Sequence, residues 1–253
     1  MGLSSREVCA DCVFATLPDD GVFLLLDIQN LRVNYAGDTD TLRDLCLQIA
    51  PGETVALTGP SGTGKSTVVW SILQLLPRDC IVSGSIKFDG VDLRTQSAAV
   101  LQRLRGGDIS CIPQQPALAA HPLIRLGRQI EDVLKSHHVY SANSRSEILE
   151  LFRRVGLPED CFTRYPHQLS GGQLQRAAIA QALVCRPKLL IADEPFAALD
   201  SLTQQDVLSL FREIKNSFAL SMLLISHDPR PVSALADRVL ALENGGIAWQ
   251  STP

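Results

Sequence analysis

Eight consecutive residues, Gly59-Pro60-Ser61-Gly62-Thr63-Gly64-Lys65-Ser66, fit the pattern G-x4-G-K-[ST]. They follow a strand-like run, Thr54 to Thr58, and open a helix-like run, Ser66 to Leu76, which is the context the pattern requires. Glycines let successive backbone N–H groups turn toward one point, and a helix N-terminus adds partial positive charge there. Lys65 supplies a full charge for the β- and γ-phosphates of a nucleoside triphosphate. Ser66 offers a hydroxyl to Mg2+, and Thr67 is counted with the same loop. A glycine-rich turn without function is the bland alternative, and the Lys-Ser pair in this context weighs against it. A second run, Leu189-Leu190-Ile191-Ala192-Asp193-Glu194, drives four apolar residues into two carboxylates. A buried strand would deliver both acids to the sheet's carboxyl edge, where open α/β sheets bind ligands. There Asp193 would hold Mg2+, directly or through water, and Glu194 would polarise an attacking water.

A third motif, Leu169-Ser170-Gly171-Gly172-Gln173 followed by Gln175-Arg176, opens another helix and so offers a second anion-binding N-terminus. One chain has no use for two such openings on one γ-phosphate. The economical explanation is a pair of chains in which this helix closes the partner's ATP.

With these motifs the chain resembles the ATP-binding cassette superfamily over residues 24–250. The resemblance implies an α/β fold: a P-loop core of mainly parallel sheet, an antiparallel β subdomain, and a helical subdomain at about residues 115–172, all within one ATPase domain of residues 22–253. It implies ATP and Mg2+ as cofactors. It also implies roles for further positions. Tyr35 matches the aromatic that stacks on adenine. Gln114 matches the glutamine that senses Mg2+ and the attacking water and links them to the membrane subunit. Asp200, in Ala198-Leu199-Asp200, matches the loop that crosses to the partner. His227 matches the histidine that contacts the γ-phosphate. Each has an ordinary alternative: a strand-end Tyr, a loop Gln, an Asp capping the following helix, a structural His. The implied partners are a second cassette, identical or different, two integral-membrane permease subunits and, indirectly, an extracytoplasmic solute-binding protein. The implied place is the cytoplasmic face of the cell membrane.

Within the superfamily, Gln114-Gln115-Pro116-Ala117-Leu118-Ala119-Ala120-His121-Pro122 is similar to the Q-D-P-x-x-x-L-N-P stretch of peptide and nickel importer ATPases. Leu123 to Ile130 and Arg164-Tyr165-Pro166-His167-Gln168 continue the likeness. In that group the segment Gln115 to Ile130 lies beside the groove for the permease's cytoplasmic helix, with Leu118, His121 and Leu126 as the expected contacts. The departures are Pro113 for a common Phe, Ala120-His121 for Leu-Asn, and Phe196-Ala197 for the usual Thr-Thr. The chain's stop at Pro253 favours a short member of the nickel or metal-chelate type. The alternatives weighed are a non-transport cassette ATPase of the repair, translation or C–P lyase type, an exporter motor, and a degenerate cassette. Long coiled coils, paired zinc cysteines and tandem cassettes, the marks of the first, are missing. Intact Lys65, Glu194 and His227 argue against the last.

The elements that must hold these residues are legible as alternations. Leu31 and Val33, then Leu45, Leu47 and Ile49, read as strands before the phosphate loop, and Gly84 to Phe88 as a strand entering the Asp89-Gly90 turn. A helical insert follows, with helices over Leu123–Leu134 and after the capping-box pattern Ser144-Arg145-Ser146-Glu147. Helices are expected over Leu174–Cys185 and Thr203–Ser217, strands over Leu189–Ala192 and Met222–Ser226, and a hairpin over Arg238–Gln250 turning at Asn244-Gly245-Gly246. With 253 residues and 45% hydrophobic content, the chain can bury a large core. Only 5% aromatic residues and a net charge of −4 disfavour a nucleic-acid partner. Seven scattered cysteines suggest reduced thiols rather than a disulfide framework, with Cys9 and Cys12 incidental. No apolar run is long enough to cross a bilayer. Residues 1–21 read as an appendage, a short disordered arm or the result of a late translation start.

Overall fold

Three strands around the acidic pair alternate side chains across one sheet, and this divides the core in two. Val55, Leu57, Leu189, Ile191, Leu223 and Ile225 point to one side, while Ala56, Leu190, Ala192, Met222 and Leu224 point to the other. Such runs, apolar on both faces, belong to a sheet covered on both faces. The computed structural model describes residues 23–35, 41–197, 199–218 and 220–251. Its strands are β1 (Leu26–Asn34), β2 (Leu42–Ile49), β3 (Thr54–Thr58), β4 (Ile81–Phe88), β5 (Val91–Asp92), β6 (Ile109–Ile112), β7 (Leu189–Asp193), β8 (Ser221–Ile225), β9 (Arg238–Glu243) and β10 (Gly246–Ser251). Its helices are α1 (Lys65–Ile72), α2 (Ala98–Leu104), α3 (Pro116–Ala119), α4 (Leu126–Ser136), α5 (Ser144–Arg154), α6 (Gly171–Leu183), α7 (Ser201–Ser217) and α8 (Pro229–Leu235).

The larger sheet has the order β10-β9-β3-β8-β7-β6, parallel throughout except for the β9–β10 hairpin. The smaller sheet, β2-β1-β4-β5, is antiparallel. One core lies between the two sheets and takes Val68, Val69 and Ile72 from α1. The other lies beneath the helices. There α4 presents Leu126, Ile130 and Leu134 at a spacing of one turn, and α5 presents Ile148 and Phe152. This α/β architecture of parallel sheet, antiparallel sheet and helices is the expected one.

Three local expectations change. The strand expected from Gly84 begins at Ile81, where the mostly exposed pattern of Ile81–Ser85 leaves no alternation to read. The helix expected from Leu123 begins at Leu126. Gln129 holds the preceding turn apart from the helix: its Oε1 accepts from the His121 N–H at 2.9 Å, and its Nε2 donates to the carbonyls of His121 and Ile124 at 3.0 and 2.7 Å. The Ser144 capping box does not form. The Ser144 hydroxyl accepts from the Ser141 N–H at 2.8 Å, and the cap position passes to Asn143. Cys80, Cys111, Cys161 and Cys185 are free thiols. The expected appendage, residues 1–21, lies outside the described residues.

Phe152 is fully buried in α5, its ring centroid 6.4 Å from that of Phe162. Phe152→Ala is expected to cost about 3–5 kcal/mol, seen as a lower urea midpoint at unchanged slope when unfolding is followed by circular dichroism.

Candidate active site

Register puts the chemistry together. Leu57 and Asp193 both lie level with Ile225, and Ile112 lies level with Ala192. The chain leaving β3 is therefore the glycine loop, the chain leaving β6 carries Gln114, β7 ends in Asp193 with Glu194 after it, and the chain leaving β8 carries His227. All four exits share the carboxyl edge of the parallel sheet.

The glycine loop could not be built from other residues. At Gly59 the backbone has φ +144°, and a Cβ would fall 2.3 Å from the Leu242 carbonyl oxygen. At Gly64, φ +103°, a Cβ would meet Leu42 at 2.8 Å. The first intrahelical bond of α1 runs from Val68 N–H to Gly64 O, so the N–H groups of Lys65, Ser66 and Thr67 precede it. Lys65 Nζ donates to the carbonyls of Gly59 and Pro60 at 2.8 and 2.7 Å, and Thr63 Oγ1 donates to Pro60 O at 2.9 Å. The ammonium thus sits across the loop's hollow. Pro60, Ser61, Gly62 and Ser66 are exposed around it, and Thr67 is buried beneath, its hydroxyl 3.4 Å from that of Tyr35.

Asp193 is half-buried. Burial raises its pKa, the neighbouring Glu194 charge raises it further, and Lys65 works against both. Glu194 adopts φ +47°, a left-handed conformation that costs a residue with a Cβ about 1–3 kcal/mol. Its N–H donates to Ile225 O at 3.0 Å, and its Oε1 lies 2.8 Å from His227 Nδ1. The carboxylate is largely enclosed while the His227 ring is exposed. Two acids against one nearby lysine leave the edge short of positive charge. The oxygen donors of Asp193 and Ser66 suit Mg2+. Among the described residues no group of three or more His, Cys, Asp and Glu forms a complete cage.

Asp228 follows His227 and fixes its loop. It caps α8 through the Arg230 N–H, pairs with Arg230 Nη2 at 2.8 Å and accepts from Gln204 Nε2 on α7 at 3.0 Å. The Arg230 hydrogen bonds hold the Asp228 carboxyl down at about 2.

The Ser170–Gln173 turn stands apart. Ser170 Oγ accepts from the Gln173 N–H at 3.3 Å, and Gln173 Oε1 accepts from the Ser170 N–H at 3.0 Å, a reciprocal capping box. The S-x-x-Q spacing could have disclosed this box in the sequence. Gly171 faces open space, and a Cβ on Gly172 would lie 3.1 Å from Thr203 at the start of α7. Asp200 caps α7, accepting from the N–H groups of Leu202 and Thr203 and from Thr203 Oγ1 at 2.6 Å. Among the described residues no hydrogen bond joins this turn to the glycine loop. The fold therefore gathers Tyr35, the loop, Asp193, Glu194 and His227 in one group, and Ser170–Gln173 with Asp200 in another. Gln114 is exposed between β6 and α3 and makes no described hydrogen bond. Asp228 received no role from the sequence, although Asp228-Pro229 is a helix-start signal, a cap residue followed by Pro, that could have placed it at the start of α8.

Beside α3 lies a mostly apolar cleft of about 410 Å3, lined by Leu73, Leu75, Pro113, Ala119, Val133 and Ala178 among others. Leu118 and Leu123 stand 81% and 79% exposed near it. Leu126 is 2% exposed, packed in the core at the wall of the same cleft. Among the described residues no helix is long and apolar enough to cross a membrane.

The family model described as ABC transporter matches residues 42–197, from the antiparallel sheet through the glycine loop to the acidic pair. The chain belongs to the ABC transporter family, as an ATPase domain. The peptidoglycan transport ATP-binding protein YejF of Agrobacterium fabrum is 43% identical over 236 residues, covering 90% of this chain and 43% of that protein. The cassette thus spans less than half that relative's length. The dipeptide transport ATP-binding protein DppD of Bacillus subtilis is 40% identical over 232 residues, 88% of this chain and 69% of that one. The metal-staphylopine import ATP-binding protein CntD of Staphylococcus aureus is 38% identical over 232 residues, 90% and 86% of the two chains. A solved dimeric ATP-binding cassette, in a post-hydrolysis state bound to ADP and Pi, matches with a TM-score of 0.78 and 28% identity, covering 90% of this chain and 98% of that one.

Asp228 yields a pH-dependent expectation. Its value in the folded protein lies below the unfolded value of about 3.9, so its stabilisation is complete above that pH and is lost as pH falls toward about 2. Asp228→Ala should cost about 1 kcal/mol at pH 7, mostly through the lost cap, and thermal melts should show the gap from wild type narrowing below pH 4.

Proposed function

We propose that this chain hydrolyses ATP as the motor of an importer for small peptides or nickel and other metal chelates, working in a cassette pair on separate permease chains at the cytoplasmic face of the membrane. In this reading residues 22–253 form a single cassette, with a helical subdomain at about 115–172. The observation that carries the reading is the convergence of Lys65, Asp193, Glu194 and His227 on the carboxyl edge of one sheet.

Each residue then has a task that its surroundings favour. The loop Gly59–Thr67 binds the phosphates through its N–H groups, and Lys65 moves from the Gly59 and Pro60 carbonyls to the β- and γ-phosphate oxygens. Tyr35 presents its ring to the adenine. When bound by Ser66, Asp193 and Gln114, Mg2+ supplies the charge that the acidic edge lacks. Glu194 accepts the proton of the attacking water, and the exposed ring of His227 orients Glu194 and meets the γ-phosphate. Ser170 to Gln173 and Asp200 lie in a separate group, which suits them to a partner's nucleotide. The likeness to a solved dimeric cassette supports pairing. The names of the Bacillus and Staphylococcus relatives support peptide and metal-chelate cargo, and the exposed Leu118 and Leu123 beside the cleft support a permease contact.

Glu194→Gln should retain ATP affinity and slow hydrolysis by roughly a thousandfold or more, because the amide keeps the shape but cannot take the proton. Near-normal turnover in the assembled complex would remove Glu194 from this role. A strain lacking the gene should take up less radiolabelled nickel or labelled dipeptide, and Leu118→Asp should reproduce that loss while leaving ATP binding intact. Unchanged uptake of both cargoes in the deleted strain would overturn the importer reading.

A further inference from the structure

The turn that carries Glu194 is held in an unfavourable conformation, and the sequence directly after it departs from the importer pattern. At φ +47° Glu194 lies in the left-handed region, which residues with a Cβ rarely occupy without outside support. Two residues later Phe196 stands where the resembling group has Thr, and it is 4% exposed. Its ring centroid lies 5.4 Å from that of Phe211 on α7, tilted by 56°. It shares one buried cluster with Leu190 and Ala192 of β7 and with Val207, Leu210 and Phe211 of α7. Between acid and ring the chain is a tight turn, with Ala197 N–H donating to Glu194 O at 3.1 Å.

We propose that Phe196 is a positioning residue for the Glu194 carboxylate: its ring, buried in the core cluster against Phe211 of α7, holds the left-handed turn that aims the acid at His227. The ring is large and rigid, so the turn cannot relax without opening a cavity in that cluster. Because α7 also carries the Asp200 cap, the same ring fixes the start of that helix relative to the acid. A Thr at this position has neither the volume nor the aromatic contact, and would have to find hydrogen-bond partners for its hydroxyl in an apolar cluster.

This proposal rests on Glu194 as the base of ATP hydrolysis, and a double-mutant cycle separates the two. Single-turnover hydrolysis of radiolabelled ATP is measured for the full chain as wild type, Phe196→Ala, Glu194→Gln and the double variant. The folded fraction is read by circular dichroism at the assay temperature. Phe196→Ala should lower the rate constant on the order of tenfold to a hundredfold with ATP affinity within about twofold of wild type, the cost of misplacing a reacting group. Phe196→Leu, which keeps the volume largely filled, should restore most of it. In the Glu194→Gln background Phe196→Ala should add no further loss. An equal loss in both backgrounds, or a loss that only follows the unfolded fraction, overturns the positioning role. A wild-type rate in Glu194→Gln alone overturns the base assignment and this proposal with it. Where Phe196→Ala does not accumulate as folded protein, Phe196→Val takes its place in the same cycle.

Discussion

Parallel strand pairing is the constraint from which the rest of the site follows. In a parallel ladder all strands point the same way, so whatever follows each strand emerges at one edge. The in-register pairing of β3, β8 and β7 makes three exits level to within a residue, and the chemistry needs that tolerance. A one-residue slip of β7 would turn Leu190 and Ala192 out of the helical core and carry Asp193 to the opposite face. The apolar alternation that stabilises the fold and the geometry that aligns the acids are therefore one requirement.

Charge is arranged with similar economy. The edge carries two carboxylates and a lysine, and the lysine is committed to two carbonyls. Burial and mutual repulsion leave Asp193 with a raised pKa, so the edge attracts cations while the glycine loop and helix start attract anions. A phosphate chain with a divalent ion satisfies both demands at once. The turn Ser170-Gly171-Gly172-Gln173 itself carries no acid. It completes its own backbone with the Ser170–Gln173 box, so it is well formed before any ligand arrives.

The glycine loop, the acidic strand and the Ser170–Gln173 turn were legible in the sequence because each combines a pattern with an element boundary. Strand and helix identities were legible where side chains alternate into a core, as in β7 and β8. The exceptions have physical reasons. Ile81–Ser85 is largely exposed and shows no period. The start of α4 depends on Gln129, whose reach back to His121 and Ile124 is a tertiary contact. Ser144 spends its hydroxyl on Ser141 rather than on its own helix. Leu126 has the same residue type as its exposed neighbours Leu118 and Leu123, and only the helix phase puts it inside. The split of site residues into two groups, and the Asp228 link between the His227 loop and α7, depend on long-range packing that no local pattern encodes.

The Gln129 side chain has a consequence for association. By closing three hydrogen bonds onto the turn from His121 to Ile124, it presents Leu123 on a backbone that is already fixed. A loop that must be ordered on docking charges its lost freedom against the affinity. Here that entropy is spent during folding, by one amide, so a partner helix meeting Leu118 and Leu123 would encounter a preorganised surface. The same rigidity would strengthen such a contact mainly by slowing its release, because affinities of related surfaces differ chiefly in the dissociation rate.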